Sequence, residues 1–524
     1  MLARIESGSA LGMEALKVEV EVDISPGLPT FNIVGLPDTA IQESKERVRA
    51  GISNSEYKFP LRRITVNLAP ADVRKEGPAF DLPIAVGVLI ATNQISSTRV
   101  NQYSVFGELS LTGEVRRISG ALLMAFCAKE GDKKGVILPA GNAAEAALVE
   151  GLEIIPVTTL REVVDFLNET KSISPLTGKS RKEFASSFAL SEYEVDFSEV
   201  KGQDHAKRAL EVAAAGGHNV LMIGPPGSGK TMLAKRMPTI LPTLNIEEAI
   251  EVTKVYSVAG MLPPDTSLIS ARPFRAPHHT ISNAGLVGGG QYPRPGEISL
   301  AHNGILFLDE FPEFQKSALQ VLRQPLEDGH VTISRALTSL TYPAQFTLVA
   351  AMNSCPCGYL GDSVKECVCT LGKIQQYQGK ISGPLLDRID IHIEIPRLTK
   401  DELTRSAFGE TSNIIRERVQ QAREHQRERF ACLQARTKSK QPRRGISCNA
   451  LMRSRHLRKF CELSDPALRF LENAIEKLGL SARAYDRVLK VSRTIADLAG
   501  SEEIKLEHIA EAIQYRSLDR RSFV

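Results

Sequence analysis

Apolar positions along the first third of the chain follow two different periods. Residues 16–22 and 64–68 carry an apolar side chain at every second position, the pattern of half-buried strands. Residues 81–92 and 120–129 carry long, nearly unbroken apolar runs and predict helices. From 194 to about 397 the pattern changes. Short runs at 220–223, 305–308 and 347–351, apolar apart from Thr347, alternate with helical stretches, which predicts parallel strands buried on both faces. Beyond about 400 the periodicity is helical, as at 403–429 and 466–478. Residues 171–193, rich in Ser and Lys and containing Pro175 and Gly178, have linker composition. The expected class is therefore α/β, with a mixed α+β unit at 1–170, a linker at 171–193, an α/β core at 194–397 and a helical domain at 398–524.

The length of 524 residues agrees with about three domains. A hydrophobic share of 42% and a charged share of 24% exclude a wholly disordered or collagen-like chain. The net charge of +4 is too small to imply a polyanionic partner. Its distribution is more informative. Residues 405–459 hold 15 Lys or Arg against 4 Asp or Glu, so the remainder is mildly acidic. No apolar run approaches the ~20 residues of a membrane span, and the first 15 residues include Glu6 and Glu14 without a long apolar block. These features predict a cytoplasmic protein with no membrane partner.

The strongest chemical signal is Gly224-Pro225-Pro226-Gly227-Ser228-Gly229-Lys230-Thr231, between an apolar strand and a helical stretch. In that context the loop turns backbone N–H groups around phosphates. Lys230 reaches the β and γ oxygens of ATP, and Thr231 offers a hydroxyl to Mg2+. A chance glycine-rich turn is the bland alternative. The run 305–308 ends in Asp309 and Glu310, which suit a Mg2+ shell and a general base that polarises water. Asn353, after a third strand, can orient the same water. Arg388, in GPLLDRID, suits an arginine finger for a neighbouring subunit, and Arg483, in the helical domain, can reach the phosphates. For either arginine alone a surface ion pair is the competing reading.

This ordered set resembles an AAA+ ATPase. The phrases RAPHHTISNAGLVGGG, PRPGEISLAHNGILFLDEFPEF and LRQPLEDGHVTISRA resemble the magnesium-chelatase-like branch and, within it, the YifB/ComM family of competence-linked proteins. The resemblance implies sensor roles for Asn353 and Arg483 and a ring, usually a hexamer, of ATP-driven subunits. It further implies a helicase that migrates branches in DNA during natural transformation, in the company of recombination proteins. Chelatase-type ATPase work on a porphyrin, ATP-dependent proteolysis and a non-motor regulator are the alternatives. Residues 1–170 resemble the Lon proteolytic domain, of ribosomal S5-like fold, through VRKEGPAFDLPIAVGVL and GELSLTGEVRRISGALL. Where Lon-type proteases place the nucleophilic serine after Gly-Pro, this chain has Ala79 after Gly77-Pro78. The dyad lysine is also missing near 122–124, so no peptidase activity is expected.

Cys355, Cys357, Cys367 and Cys369 form two C-x-C pairs nine residues apart, which suits a structural Zn2+ better than free thiols. DNA, single-stranded or branched and read without sequence preference, has three candidate contacts. One is the insertion 255–296 with Arg272, Arg275, His278, His279 and Arg294. The second is a predicted hairpin at 330–343 with Arg335 near its tip. The third is the basic run 436–444 in the loop 434–449. His278 and His279, if they lay in a strand, would point to opposite faces.

Overall fold

The computed structural model describes residues 2–96, 98–178, 193–263, 266–290, 293–334, 339–399, 402, 409–434, 446–479 and 481–516. The run 436–444 and Arg335 lie outside the described residues, and so does most of the expected linker.

The amino-terminal unit is built on a four-stranded sheet in the order Leu2–Leu11, Glu14–Ser25, Arg63–Ala69, Thr30–Val34. The first three are antiparallel neighbours and the last pairs in parallel. Alternation places Val18, Val20, Val22 and Ile24 on the buried face. The helix Asp81–Ala91, buried at every position, packs on that face. Gly87 sets how closely it approaches, because a Cβ there would stand 2.5 Å from Val22 and 2.9 Å from Ile5. The second sheet runs Leu176–Thr177, Glu153–Val157, Gly135–Pro139, Tyr103–Val105. Its short edge strand, antiparallel to Glu153–Val157, carries this unit past the boundary expected at 170.

The central unit contains a five-stranded parallel sheet in the order Phe274–Arg275, Ile305–Leu308, Thr347–Met352, Val220–Ile223, Ile391–Glu394. Every residue of Val220–Ile223, Ile305–Leu308 and Thr347–Met352 is buried, as strands covered on both faces should be. The predicted hairpin is present, with His330–Ser334 paired against Ser339–Pro343.

Helices Ser412–Gln434, Asp465–Leu478, Ala482–Leu498 and Leu506–Gln514 make the carboxy-terminal domain, which shares one apolar core with the sheet. Asp390, fully buried just before Ile391–Glu394, joins the two. It accepts from the Asn219 amide at 3.2 Å and from Arg487, and lies 3.3 Å from His218 Nδ1. Burial opposes the charge on Asp390, but Arg487 and His218 outweigh it and hold the carboxyl far below its ordinary range.

The amino-terminal unit meets the central one on helix Ile246–Ala259, on the loop that follows it and on strand Ser339–Pro343. Ser257, on helix Ile246–Ala259, donates to buried Glu145 at 2.5 Å and accepts from the Gly120 amide at 3.0 Å. Met13, at the tip of the first hairpin, joins the apolar cluster that includes Leu340 and Val258. Asp390→Ala should therefore lower the thermal unfolding midpoint, costing about 3 kcal/mol, because it strands a partly buried Arg487.

Candidate nucleotide-binding site

The loop 224–231 leaves the carboxyl end of Val220–Ile223 and opens the helix Lys230–Ile240. Gly224 is required by crowding, since a Cβ there would lie 2.1 Å from the Ile395 carbonyl oxygen. Gly227 and Gly229, at φ +78° and +90°, take the left-handed turns that fold the loop into a cradle. Lys230 Nζ donates to the carbonyls of Gly224 at 2.7 Å and Pro225 at 2.9 Å and to Asn353 Oδ1 at 3.3 Å. Burial pulls the lysine's pKa down and Asp309 partly opposes it. Thr231 Oγ1 donates to Asp309 Oδ2 at 2.7 Å. Glu310 turns the chain at φ +52°, and its Oε2 lies 3.0 Å from His279 Nδ1. Lys230, Thr231, Asp309, Glu310 and Asn353 thus converge at the carboxyl end of the sheet.

The two predicted arginines stand elsewhere. Arg388 precedes Ile391–Glu394 and sits at the amino end of the same sheet, where its carbonyl accepts from Asn219 Nδ2 at 3.0 Å. Its side chain is buried and pairs with Glu327 and the Pro384 carbonyl. Arg483 lies 3.8 Å from Asp387, beside Arg388. Among the described residues no hydrogen bond or ion pair ties either arginine to the loop 224–231 of its own chain. The helical domain therefore presents Arg483 at the Arg388 edge rather than over its own phosphate loop.

Two arginines of the DNA candidate 255–296 are committed internally. Arg272 is buried on the carbonyls of Pro242 and Asn303, with Glu248 at 3.2 Å, and Arg275 pairs with Glu297 at 2.6 Å. His278 and His279 do not face apart: their ring centroids lie 4.1 Å apart at a 33° tilt because 276–282 is irregular rather than a strand. The periodicity gave no hint that His279 would meet Glu310, nor that Gln203 Nε2 would donate to the Ser228 carbonyl. Both contacts join residues separated in sequence by whole helices and strands.

Next to this site, Cys355 Sγ lies 3.4 Å from Cys357 Sγ and 3.6 Å from Cys367 Sγ, and Cys357 Sγ is 3.6 Å from Cys367 Sγ. With Cys369, all four sulfurs fall within 4.8 Å of one another. The Tyr359 and Val368 amides point at Cys357 and draw its thiol down to about 6. In the amino-terminal unit, Ala79 is buried, and Lys129 caps the Glu150 carbonyl.

A phosphate loop, an acidic strand end and a polar amide on one parallel sheet define an AAA+ ATPase. The description "Magnesium chelatase, subunit ChlI" fits residues 196–403, "Subunit ChlI of Mg-chelatase" fits 20–142, and the ChlI C-terminal description fits 409–516. Competence protein ComM of Haemophilus influenzae is 45% identical over 523 residues, covering 99% of this chain and 98% of its own. The uncharacterized protein YifB of Escherichia coli is 42% identical, covering 99% and 98%. Lon protease 2 of Bacillus subtilis is 28% identical over 164 residues, 29% of each chain. The chain belongs to the YifB/ComM family of magnesium-chelatase-like AAA+ ATPases.

ATP and Mg2+ are the cofactors of such an ATPase, and the residues present suit them. Among the described residues, nothing lies within 4 Å of where a Cβ on Gly227 would stand, and the buried Ser228 hydroxyl has no hydrogen-bond partner. The Thr231 hydroxyl and Asp309 carboxylate, already in contact, form the hard oxygen pair that Mg2+ takes.

Proposed function

We propose that this chain is an ATP-driven DNA motor that works as a ring, a hexamer, and migrates branched DNA in the cytoplasm to promote its integration during natural transformation and recombination. The observation that carries the reading is the separation of Arg388 and Arg483 from the phosphate loop. The two ends of Val220–Ile223 are three residues apart, about 10 Å at ~3.3 Å per residue. A guanidinium at the amino end serves a nucleotide held by a neighbour, not its own. In the single chain Arg388 is parked on Glu327, whose side chain is half exposed and free to exchange partners as a second protomer arrives.

The roles follow from position. The loop 224–231 and Lys230 bind the phosphates, while Thr231 and Asp309 hold Mg2+. Glu310 is the general base and Asn353 orients its water. Arg388 from the adjacent protomer stabilises charge on the transferring phosphoryl, with Arg483 assisting it. His279 holds the Glu310 carboxylate in the resting arrangement. It belongs to the insertion expected to approach DNA, so DNA engagement there releases the base. The hairpin 330–343 and the basic run 436–444 contact the backbone, giving salt-sensitive binding without sequence preference. The name of the Haemophilus relative, a competence protein, supports the DNA-linked setting. We read the four cysteines as a structural Zn2+ site, and the Lon-like unit, with alanine in the nucleophile's place, as devoid of peptidase activity. Among the described residues no helix is long and apolar enough to cross a membrane.

Three outcomes test this reading. Lys230→Ala should abolish ATP binding, whereas Glu310→Gln should bind ATP and lose hydrolysis by about 100-fold or more, checked by filter binding and phosphate release. His279→Ala should raise hydrolysis without DNA and shrink its stimulation by DNA, while an unchanged ratio contradicts the proposed hold on Glu310. Neutralising 436–444 should weaken DNA binding and flatten its salt dependence, read by anisotropy at several salt concentrations.

A further inference from the structure

Residues 353–371 touch the phosphate loop at two points. Asn353 accepts from Lys230 at 3.3 Å, and Cys355 follows two positions later. Gly358, directly after Cys357, adopts φ +85° and lies flat against the loop. A Cβ there would stand 2.7 Å from Pro226 Cδ and 3.7 Å from Asn353 Cγ. The far side of the segment is tied down as well. Ser354 Oγ donates to the Leu360 carbonyl at 2.7 Å, Gln378 Nε2 donates to the Ser354 carbonyl at 3.0 Å, and Arg397 pairs with Asp362 at 3.2 Å.

Little else would hold this segment in place. Residues 353–370 form neither helix nor strand. Their apolar side chains do not make a core: Val364 is 68% exposed, Val368 86%, and the adjoining Leu371 78%. What the segment does have is four sulfurs brought together from two C-x-C pairs. Separations of 3.4–3.6 Å are far beyond the ~2.05 Å of a disulfide. They lie close to the edge of about 3.8 Å that four thiolates make when each is ~2.3 Å from one tetrahedral Zn2+.

The geometry points to a zinc-held clamp: one Zn2+ on Cys355, Cys357, Cys367 and Cys369 presses Gly358 against Pro226 and fixes Asn353 at Lys230, so that metal occupancy sets the affinity for ATP. The inference rests on the reading of 224–231 as the ATP site and of the cysteines as a zinc site, and it adds the coupling between them. Four thiolates leave no open position, so the ion takes no part in hydrolysis.

The test uses the full chain, purified under reductant without a histidine tag. Elemental analysis should give one zinc per chain, and less than half an equivalent overturns the metal site and the clamp together. The protein is then stripped with a zinc chelator, exchanged into excess Mg2+ and titrated with a fluorescent ATP analogue, while amide hydrogen exchange is followed at 224–231. Nucleotide binding should weaken about 10-fold. Exchange at the loop should quicken while that in Asp81–Ala91 stays the same, and one equivalent of Zn2+ should restore both. Gly358→Val, which leaves every ligand in place, should keep its zinc and reproduce the weaker binding by displacing Pro226. If stripped and loaded protein bind nucleotide equally, the clamp is wrong although the metal site stands. If exchange rises equally in Asp81–Ala91, the metal is a general stabiliser and the clamp is again wrong. If the zinc-loaded chain binds no nucleotide, the ATP reading fails and takes the clamp with it.

Discussion

A parallel sheet has two chemically different ends, and the rest of this molecule is arranged around that fact. Loops leaving the carboxyl ends of its strands converge on one crevice, and loops entering the amino ends open on the other side. Here the phosphate loop, the acidic pair and Asn353 occupy the first end, while Arg388 and Arg483 occupy the second. One buried amide fixes this relation. Asn219 Oδ1 accepts from the Leu348 amide at 2.8 Å, Nδ2 donates to the Arg388 carbonyl at 3.0 Å, and its backbone N–H donates to Asp390 at 3.2 Å. The central strand is thereby registered against both neighbours and against the joint to the helical domain. Packing alone, without these directional bonds, would leave the arginines free to drift.

The amino-terminal unit takes on a different meaning from the same contacts. It has a Lon-like fold with a buried alanine in place of a nucleophile. It docks through Glu145 and Gly120 on the helix that holds Ser257, and through Met13 against the cluster containing Leu340 of the hairpin. Both docking elements belong to regions proposed to approach DNA. Packing on those elements is a use for the fold that needs no chemistry.

Much of this was legible in the sequence because the decisive signals are local. A glycine-rich loop between an apolar strand and a helix is complete within a dozen residues, and the buried strands announce themselves by the apolar runs at 220–223, 305–308 and 348–351. The two-residue edge strand Leu176–Thr177 is too short to have a period, so the first unit seemed to end early. Contacts that join distant loops left no trace in spacing: His279 on Glu310, Gly358 on Pro226, Asn219 on Arg388. The charged residues misled most where burial intervened. Arg272 and Arg275 read as free cations along the chain, yet each is spent on carbonyls or a carboxylate inside the fold. The place of Arg483 beside Asp387 was not legible, because the sequence does not say which edge of the sheet the helical domain covers.

The most direct test of the central claim is complementation between two inactive chains. Protomers carrying Lys230→Ala keep Arg388 but cannot hold nucleotide, and protomers carrying Arg388→Ala keep an intact pocket. Each alone should be inactive, and mixing them should restore ATP hydrolysis in proportion to the mixed interfaces formed. A mixture that stays inactive although mixed rings form, or an Arg388→Ala chain that hydrolyses ATP at the normal rate by itself, would contradict a site completed by its neighbour.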